Sequence, residues 1–252
     1  MNMQWFYNIV KILYKTLPKP ITREVARLRK PVMKLFYSGQ QNFCNVCSTH
    51  LRHFVKTQCG ESVCPVCGSL PRQRRLVTLV GSLADKHHFS KVLHFSPLPE
   101  LSVRFRHTFQ HYFSSDFSDE FPADLKLDIR NITADDNSFD LIICYHVLEH
   151  IDDDRRAMHE LYRVTAPGGL TLVQTPFKEG DTYENPAIVS PQDRLEHFGQ
   201  EDHVRIYGVT DLTKRLSEAG FVVEVQRFDE LDDPKLGLKA GEIVLICKKP
   251  KL

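Results

Sequence analysis

The stretch Phe139 to Phe177, FDLIICYHVLEHIDDDRRAMHELYRVTAPGGLTLVQTPF, leaves this chain little freedom of fold. Leu141–Cys144 is a short apolar run of the kind found in strands covered on both faces. A polar hinge from His146 to His150 follows it. Asp152, Asp153 and Asp154 then supply an N-cap and negative charge for the first turn of a helix. Met158, Leu161, Tyr162 and Thr165 recur at three- and four-residue spacing, so one face of that helix is buried. Pro167-Gly168-Gly169 predicts its end, and Leu170–Gln174 returns as a second strand. Two apolar strands joined by a helix form a right-handed βαβ crossover, which commits the chain to a parallel sheet.

The flanking sequence extends that sheet. Val92–Phe95 reads as a first strand, His111–Ser115 as a second and Asp124–Ile129 as a third. A helix carrying Leu101, Val103, Phe105 and Phe109 lies between the first two. After the two strands of the crossover, residues 178–208 read as a long polar loop, and loops of that length usually serve function. Val209–Ala219 is a helix closed by Gly220, and Phe221–Arg227 and Gly241–Cys247 complete seven strands. The expected fold class is therefore α/β, a doubly wound, mostly parallel sheet.

Ahead of the sheet, Cys44-Asn-Val-Cys47 and Cys64-Pro-Val-Cys67 are separated by sixteen residues. Four thiolates so spaced satisfy a tetrahedral zinc ion and leave no open position, so the expected site is structural. It would stabilise a segment too small to build its own core. His50, His53 and Cys59 are spare donors, read as non-ligands. The division expected is a basic, aromatic-rich helical segment over 1–40, a zinc ribbon over 41–70 and the α/β domain over 71–252.

Charge is distributed unevenly. Residues 1–75 hold 13 Lys or Arg against Glu24 and Glu61, whereas residues 76–252 hold 20 against 30 acids. That asymmetry fits either an anionic partner or a solvated basic face. Arg72, Arg74 and Arg75 open a helix, where basic residues oppose the helix dipole, a hint of an anionic contact. Residues 1–16 interleave Trp5, Phe6, Tyr7 and Ile9 with Lys11 and Lys15, so contact with a membrane surface or another protein is one reading. Docking on the chain's own body is the other. With no apolar run near the 18–20 residues of a membrane helix, and no secretory h-region, a cytoplasmic location is expected, with peripheral membrane contact open.

Ligands of an open α/β sheet lie beyond the carboxyl ends of its strands. Glu100, Asp116, Asp128, His146 and Glu149 gather there, and Asp116 ends the second strand where an acid accepts hydrogen bonds from ribose hydroxyls. The position predicts a nucleoside-containing cofactor.

Phe139-Asp-Leu-Ile, His146-Val-Leu-Glu-His150-Ile and Arg163-Val-Thr-Ala-Pro-Gly-Gly169 resemble the class I S-adenosylmethionine-dependent methyltransferases, a likeness that runs from about Lys91 to Lys248. The resemblance implies the strand order 3-2-1-4-5-7-6, with strand 7 antiparallel. It also implies that Asp116 holds the cofactor ribose, that Asp128 and Ile129 frame the adenine, and that His146 lines the sulfonium side. One departure stands out. The turn after the first strand, His94-Phe95-Ser96-Pro97-Leu98-Pro99-Glu100, has no glycine where the family has a Gly-rich turn. Either Pro97 and Pro99 build a different rigid turn that still presents backbone groups to the cofactor, with Phe95, Ser96, Pro97 and Glu100 as the candidate contacts, or the site is degenerate.

A sulfonium methyl is already activated, so the protein's task is to align an acceptor and exclude water. An oxygen acceptor gains from a histidine base. The candidates are His146, His150, His197 and His203, with His146 and His203 preferred and Tyr207 and Arg205 as orienting groups. Three functions remain open: methylation of a small molecule or saccharide at oxygen or nitrogen; methylation of RNA, since zinc ribbons precede the catalytic domain in some ribosomal RNA guanine methyltransferases; and non-catalytic binding.

Overall fold

The computed structural model describes residues 30–57, 60–118, 122–230 and 233–251. Residues 1–16 and Cys59, which carry the expected membrane or protein contact and one spare thiol, lie outside the described residues. The chain divides into two compact units, the first discontinuous in sequence.

Described residues of the first unit fall in 30–78 and 233–239. Residues 30–37 are helical. Strands β1 (Ser38–Cys44) and β2 (Thr49–Leu51) pair antiparallel, as do β3 (Val55–Lys56) and β4 (Ser62–Val63). Helix α1 (Pro71–Ala84) begins in this unit. Arg74, which sequence alone points toward an anion, is fully buried instead. Its guanidinium donates to the carbonyls of Ser62, Ser69, Leu236 and Gly237 at 2.5–2.8 Å and stacks 4.1 Å from the Phe54 ring centroid. Arg75 is buried too and donates to the Lys239 carbonyl. A fork of five donors thus ties four backbone carbonyls together, one in β4 and three outside the strands.

The second unit spans residues 79–231 and 240–252. It contains β5 (Lys91–Phe95), α2 (Pro99–Arg106), β6 (His111–Ser115), β7 (Phe139–Tyr145), α3 (Asp154–Val164) and β8 (Thr165–Gln174). Then come β9 (Phe177–Lys178), β10 (Tyr183–Glu184), α4 (Pro191–Phe198), β11 (Arg205–Gly208), α5 (Val209–Glu218), β12 (Val222–Phe228) and β13 (Glu242–Lys248). Six strands form the central sheet in the order β12-β13-β8-β7-β5-β6. β6, β5, β7 and β8 run parallel, and β13 is antiparallel to both its neighbours. Leu141, Ile142 and Ile143 on β7 are fully buried, with Met158 and Leu161 of α3 also buried in the core.

Three sequence expectations change. The sheet has six strands rather than seven: 124–129 meets it only at an isolated bridge, Ser115 to Leu125. Side chains displace the ladder there, since the Asp124 carboxylate accepts from the Ser114 N–H and hydroxyl, and the Leu127 N–H donates to the Ser115 hydroxyl. α3 stops at Val164, before Pro167, because Thr165 turns extended and its hydroxyl caps the Leu161 carbonyl at 2.6 Å. The Pro-Gly-Gly run instead sits in a register shift of β8, where a Cβ at Gly169 would lie 2.8 Å from the Ala166 carbonyl oxygen. Finally, 178–208 is folded, with β10, β11 and β9 forming a small sheet beside α4. Among the described residues no helix is long and apolar enough to cross a membrane.

Candidate active site

Strands β5 and β7 end side by side, and beyond them lies a cavity of about 360 Å³. Phe95 and Ser96 form its β5 side, and Leu127, Asp128, Ile129 and Arg130 form a second wall. Val147, His150, Ile151 and Asp152 bring in the segment after β7, while Phe117, Arg194 and Val204 close the rest. The volume lies within the range of small-molecule sites, and walls mixing aromatic and aliphatic groups with a few charges suit a nucleoside.

The glycine-free turn solves its geometry through serine. Ser96 takes a left-handed φ of 45°, the conformation for which glycine is the usual choice, and its N–H donates to the Ser115 carbonyl at 2.7 Å. Pro97 is buried and Pro99 is the first residue of α2. Pro97 and Glu100 are not among the residues lining the cavity, so neither side chain fills it.

The acids divide by environment. Asp116 is buried at the end of β6, accepting from the Ser118 hydroxyl at 2.9 Å, and the next residue, Phe117, is 56% exposed on the cavity wall. Arg130 pairs with Asp128 at 2.9 Å and with Asp152 at 2.7 Å. The hydrogen bonds from Arg130 hold the Asp128 carboxyl below the usual carboxylate range.

His150 lines the cavity, whereas Asp116, His146 and His203 do not; His146 and His203 lie in a polar cluster that reaches the cavity through His150. His146 has φ of 54°, and its N–H donates to the Gln174 carbonyl. Its Nδ1 stands 3.1 Å from Glu149 Oε1, and its Nε2 is buried without a hydrogen-bond partner. Glu149 is 1% exposed; burial alone would raise its pKa, but the His146 hydrogen bond and charge outweigh that and lower it. His203, 3% exposed, packs edge-on to His150 with ring centroids 4.6 Å apart. Desolvation, then the neighbouring His150, lowers its pKa, so a neutral imidazole is favoured. His197 stands apart, paired with the exposed Tyr183 hydroxyl.

Tyr207 and Arg205, read from sequence as acceptor-orienting groups, are buried structural ties. The Tyr207 hydroxyl donates to Asp154 at 2.6 Å. Arg205 donates to the carbonyls of Leu148, Ile151 and Asp152 and to Glu184. Together with the bond from the Val204 N–H to the Glu149 carbonyl, they clamp β11 onto the segment after β7 and bring His203 to Glu149 and His150. Phe117, Arg130, Asp152 and Arg194 are site residues that sequence reading misses; only the Asp128-x-Arg130 spacing offered a signal.

In the first unit the four cysteine sulfurs gather within 4.8 Å of one another, and all four are free thiols. Cys44 and Cys67 are 3.6 Å apart, and Cys47 and Cys64 are 3.8 Å apart. A tetrahedron with zinc–sulfur bonds of about 2.3 Å has edges of about 3.8 Å. His50 and His53 pack on Phe43 and Tyr37 and stand outside the group.

A family profile described as a methyltransferase domain matches residues 38–226, three quarters of the chain. A curated protein from Mycolicibacterium smegmatis, named a probable S-adenosylmethionine-dependent methyltransferase, is 33% identical over 109 residues. The match covers 39% of this chain and 37% of that protein, so the chain spans little more than a third of the curated relative's length. Among solved structures, the [4+2]-cyclase SpnF superposes with a TM-score of 0.53 at 16% identity, over 71% of this chain and 82% of that one. An S-adenosylmethionine-dependent methyltransferase from Archaeoglobus fulgidus gives a TM-score of 0.49 at 17% identity, over 72% and 95%. The likeness to SpnF shows the fold, which a cyclase shares, and leaves the reaction to the site. With the family profile running from the cysteine unit through the central sheet, this chain belongs to the methyltransferase-domain family.

Proposed function

We propose that the chain is an S-adenosylmethionine-dependent methyltransferase that transfers a methyl group in line to oxygen or nitrogen of a small-molecule or saccharide acceptor. The observation that carries this reading is the cavity itself: it opens at the ends of β5 and β7, and neither Pro97 nor Glu100 occupies it. That argues against the non-catalytic alternative, which needs the glycine-free turn to block the site.

When bound, the cofactor supplies an activated methyl group. The chain's own residues then bind, orient and shield. Asp128 and Ile129, which line the cavity, would frame the adenine, with the exposed Phe117 ring as a stacking face, and Asp116, the buried neighbour of Phe117 in the chain, would accept from the ribose hydroxyls. Phe95 and Ser96 would lie along its flank. Arg194 lines the cavity with a buried Nε that has no hydrogen-bond partner, which suits a carboxylate of cofactor or acceptor. Of the two histidines expected to be catalytic, His146 is assigned the acceptor's proton: Glu149 orients its Nδ1 and stabilises the imidazolium, leaving Nε2 to accept. His203 keeps a neutral ring in the same cluster.

The four thiols are assigned a structural zinc ion, on the evidence of their spacing. The RNA reading has less support, because Arg74 and Arg75 are spent on backbone carbonyls. Methyl-labelled S-adenosylmethionine incubated with the full chain and separate panels of saccharides, small metabolites and RNA tests the proposal. Label in the low-molecular-weight fraction is expected. Label confined to RNA transfers the assignment to the RNA reading, and label in neither fraction overturns it.

A further inference from the structure

Glu149, His150 and His203 each offer a ligand atom, and the three atoms lie within 4.8 Å of one another. Two come from consecutive positions after β7 and the third from the start of the β11 segment, so the site exists only because Arg205 and Val204 clamp the two segments together. The oxygen facing each Nδ1 sets the tautomer of both rings. His150 Nδ1 lies 3.1 Å from the Asp202 carboxylate, and His203 Nδ1 lies 3.3 Å from the Phe198 carbonyl. Each Nδ1 therefore carries the proton as donor, which leaves each Nε2 as a lone-pair atom. His203 Nε2 is buried with no hydrogen-bond partner. The same holds for Glu149 Oε2, on a side chain 1% exposed. Buried acceptors on neighbouring side chains, each without a hydrogen-bond partner, are costly unless a cation or a proton donor sits among them.

We propose that Glu149, His150 and His203 bind a first-row divalent cation at the wall of the cavity that His150 lines. Two imidazole nitrogens and one carboxylate form a facial set that suits zinc, iron(II), cobalt or manganese and leaves open positions. Asp202 and the Phe198 carbonyl are its outer partners, orienting the rings as such partners do in metal sites. The charges facing it are Glu149 itself, the Asp202 carboxylate and the neighbouring His146 ring. The further consequence rests on the methyl-transfer reading: open positions beside the cofactor select an acceptor that presents paired oxygens, a vicinal diol or an α-hydroxy carboxylate. The cation site itself does not rest on that reading.

The experiment is a Co2+ titration of the zinc-loaded full chain, followed by visible absorption. Expected is one equivalent bound with ligand-field bands and no thiolate charge-transfer band, which would mark exchange into the cysteine cluster. Glu149→Gln and His203→Asn should abolish that equivalent while unfolding at the wild-type temperature. Asp202→Ala, at an exposed side chain where folding is not at stake, should weaken binding 10- to 100-fold, the usual cost of losing an outer partner. No bound equivalent in the wild type overturns the site, as does affinity unchanged by Asp202→Ala. Cobalt binding without any methyl transfer would keep the site and count against the methyl-transfer reading alone.

Discussion

The Ser96 N–H donates to the Ser115 carbonyl at 2.7 Å while Ser96 holds φ at 45°, so the turn after β5 keeps a left-handed residue without glycine. A left-handed serine carries strain of roughly 1–2 kcal/mol, offset here by the hydrogen bond that ties the ends of β5 and β6. Ser96→Gly should unfold at or above the wild-type temperature and keep cofactor binding. Ser96→Val, branched at Cβ, should lose about 1–2 kcal/mol more. Thermal unfolding of the two variants checks this, and equal midpoints would count against strain at Ser96.

A second expectation concerns acid. His94 on β5 is fully buried, faces the Tyr112 hydroxyl at 3.0 Å, and has its pKa pushed down to about 3 by desolvation. In the unfolded chain the same ring titrates near 6.5. Between those values the unfolded state holds a proton that the native state refuses, so stability is full above pH 6.5 and falls as pH drops toward 3. At pH 4 the loss from this residue is on the order of 3 kcal/mol. Urea unfolding at pH 7 and pH 4 should show a smaller acid loss in His94→Gln than in the wild type; parallel losses would assign the acid sensitivity elsewhere.

Arg74 is predicted to be among the most costly single side chains to remove. Arg74→Met keeps much of the stem against Phe54 but removes the guanidinium donor from the carbonyls of Ser62, Leu236 and Gly237 and leaves Ser69 only the Cys64 N–H. A loss of about 3–5 kcal/mol is expected, read by proteolysis of the first unit and by earlier thermal unfolding. Arg72→Met, at a partly exposed residue 3.9 Å from Glu61, should cost under about 1 kcal/mol.

For the cysteine cluster, stepwise reaction of the thiols with a mercurial should release one zinc per chain, complete when Cys44, Cys47, Cys64 and Cys67 are modified. Cys64→Ser should lose that zinc and the protection of 38–70 from protease, since metal binding and folding of so small a unit are one equilibrium. Buried Cys144 and Cys247 should react only on unfolding. Zinc-free protein with an intact first unit would refute a structural metal.

Much of this architecture was legible in the chain. The crossover at 139–177 announces itself because fully covered strands need unbroken apolar runs, and Asp153 does cap α3 by accepting from the Arg156 N–H. The paired cysteines carry their geometry in their spacing. What stayed hidden depended on distant partners. Leu125, Leu127 and Ile129 alternate like a strand, yet Ser114 and Asp124 claim the backbone groups a ladder would use. Arg74 reads as a surface cation until the carbonyls of residues 236 and 237 arrive from the far end of the chain. His203 reads as a loop residue because the clamp from Arg205 to Ile151, which sets it beside His150, joins positions 54 apart.

The most direct test of the account is isothermal titration of the zinc-loaded full chain with S-adenosylmethionine. One equivalent should bind, and Asp116→Asn should weaken it about 10- to 100-fold, the worth of charge-assisted hydrogen bonds to ribose hydroxyls. Absence of binding by the folded wild type, or an affinity indifferent to Asp116, would contradict it.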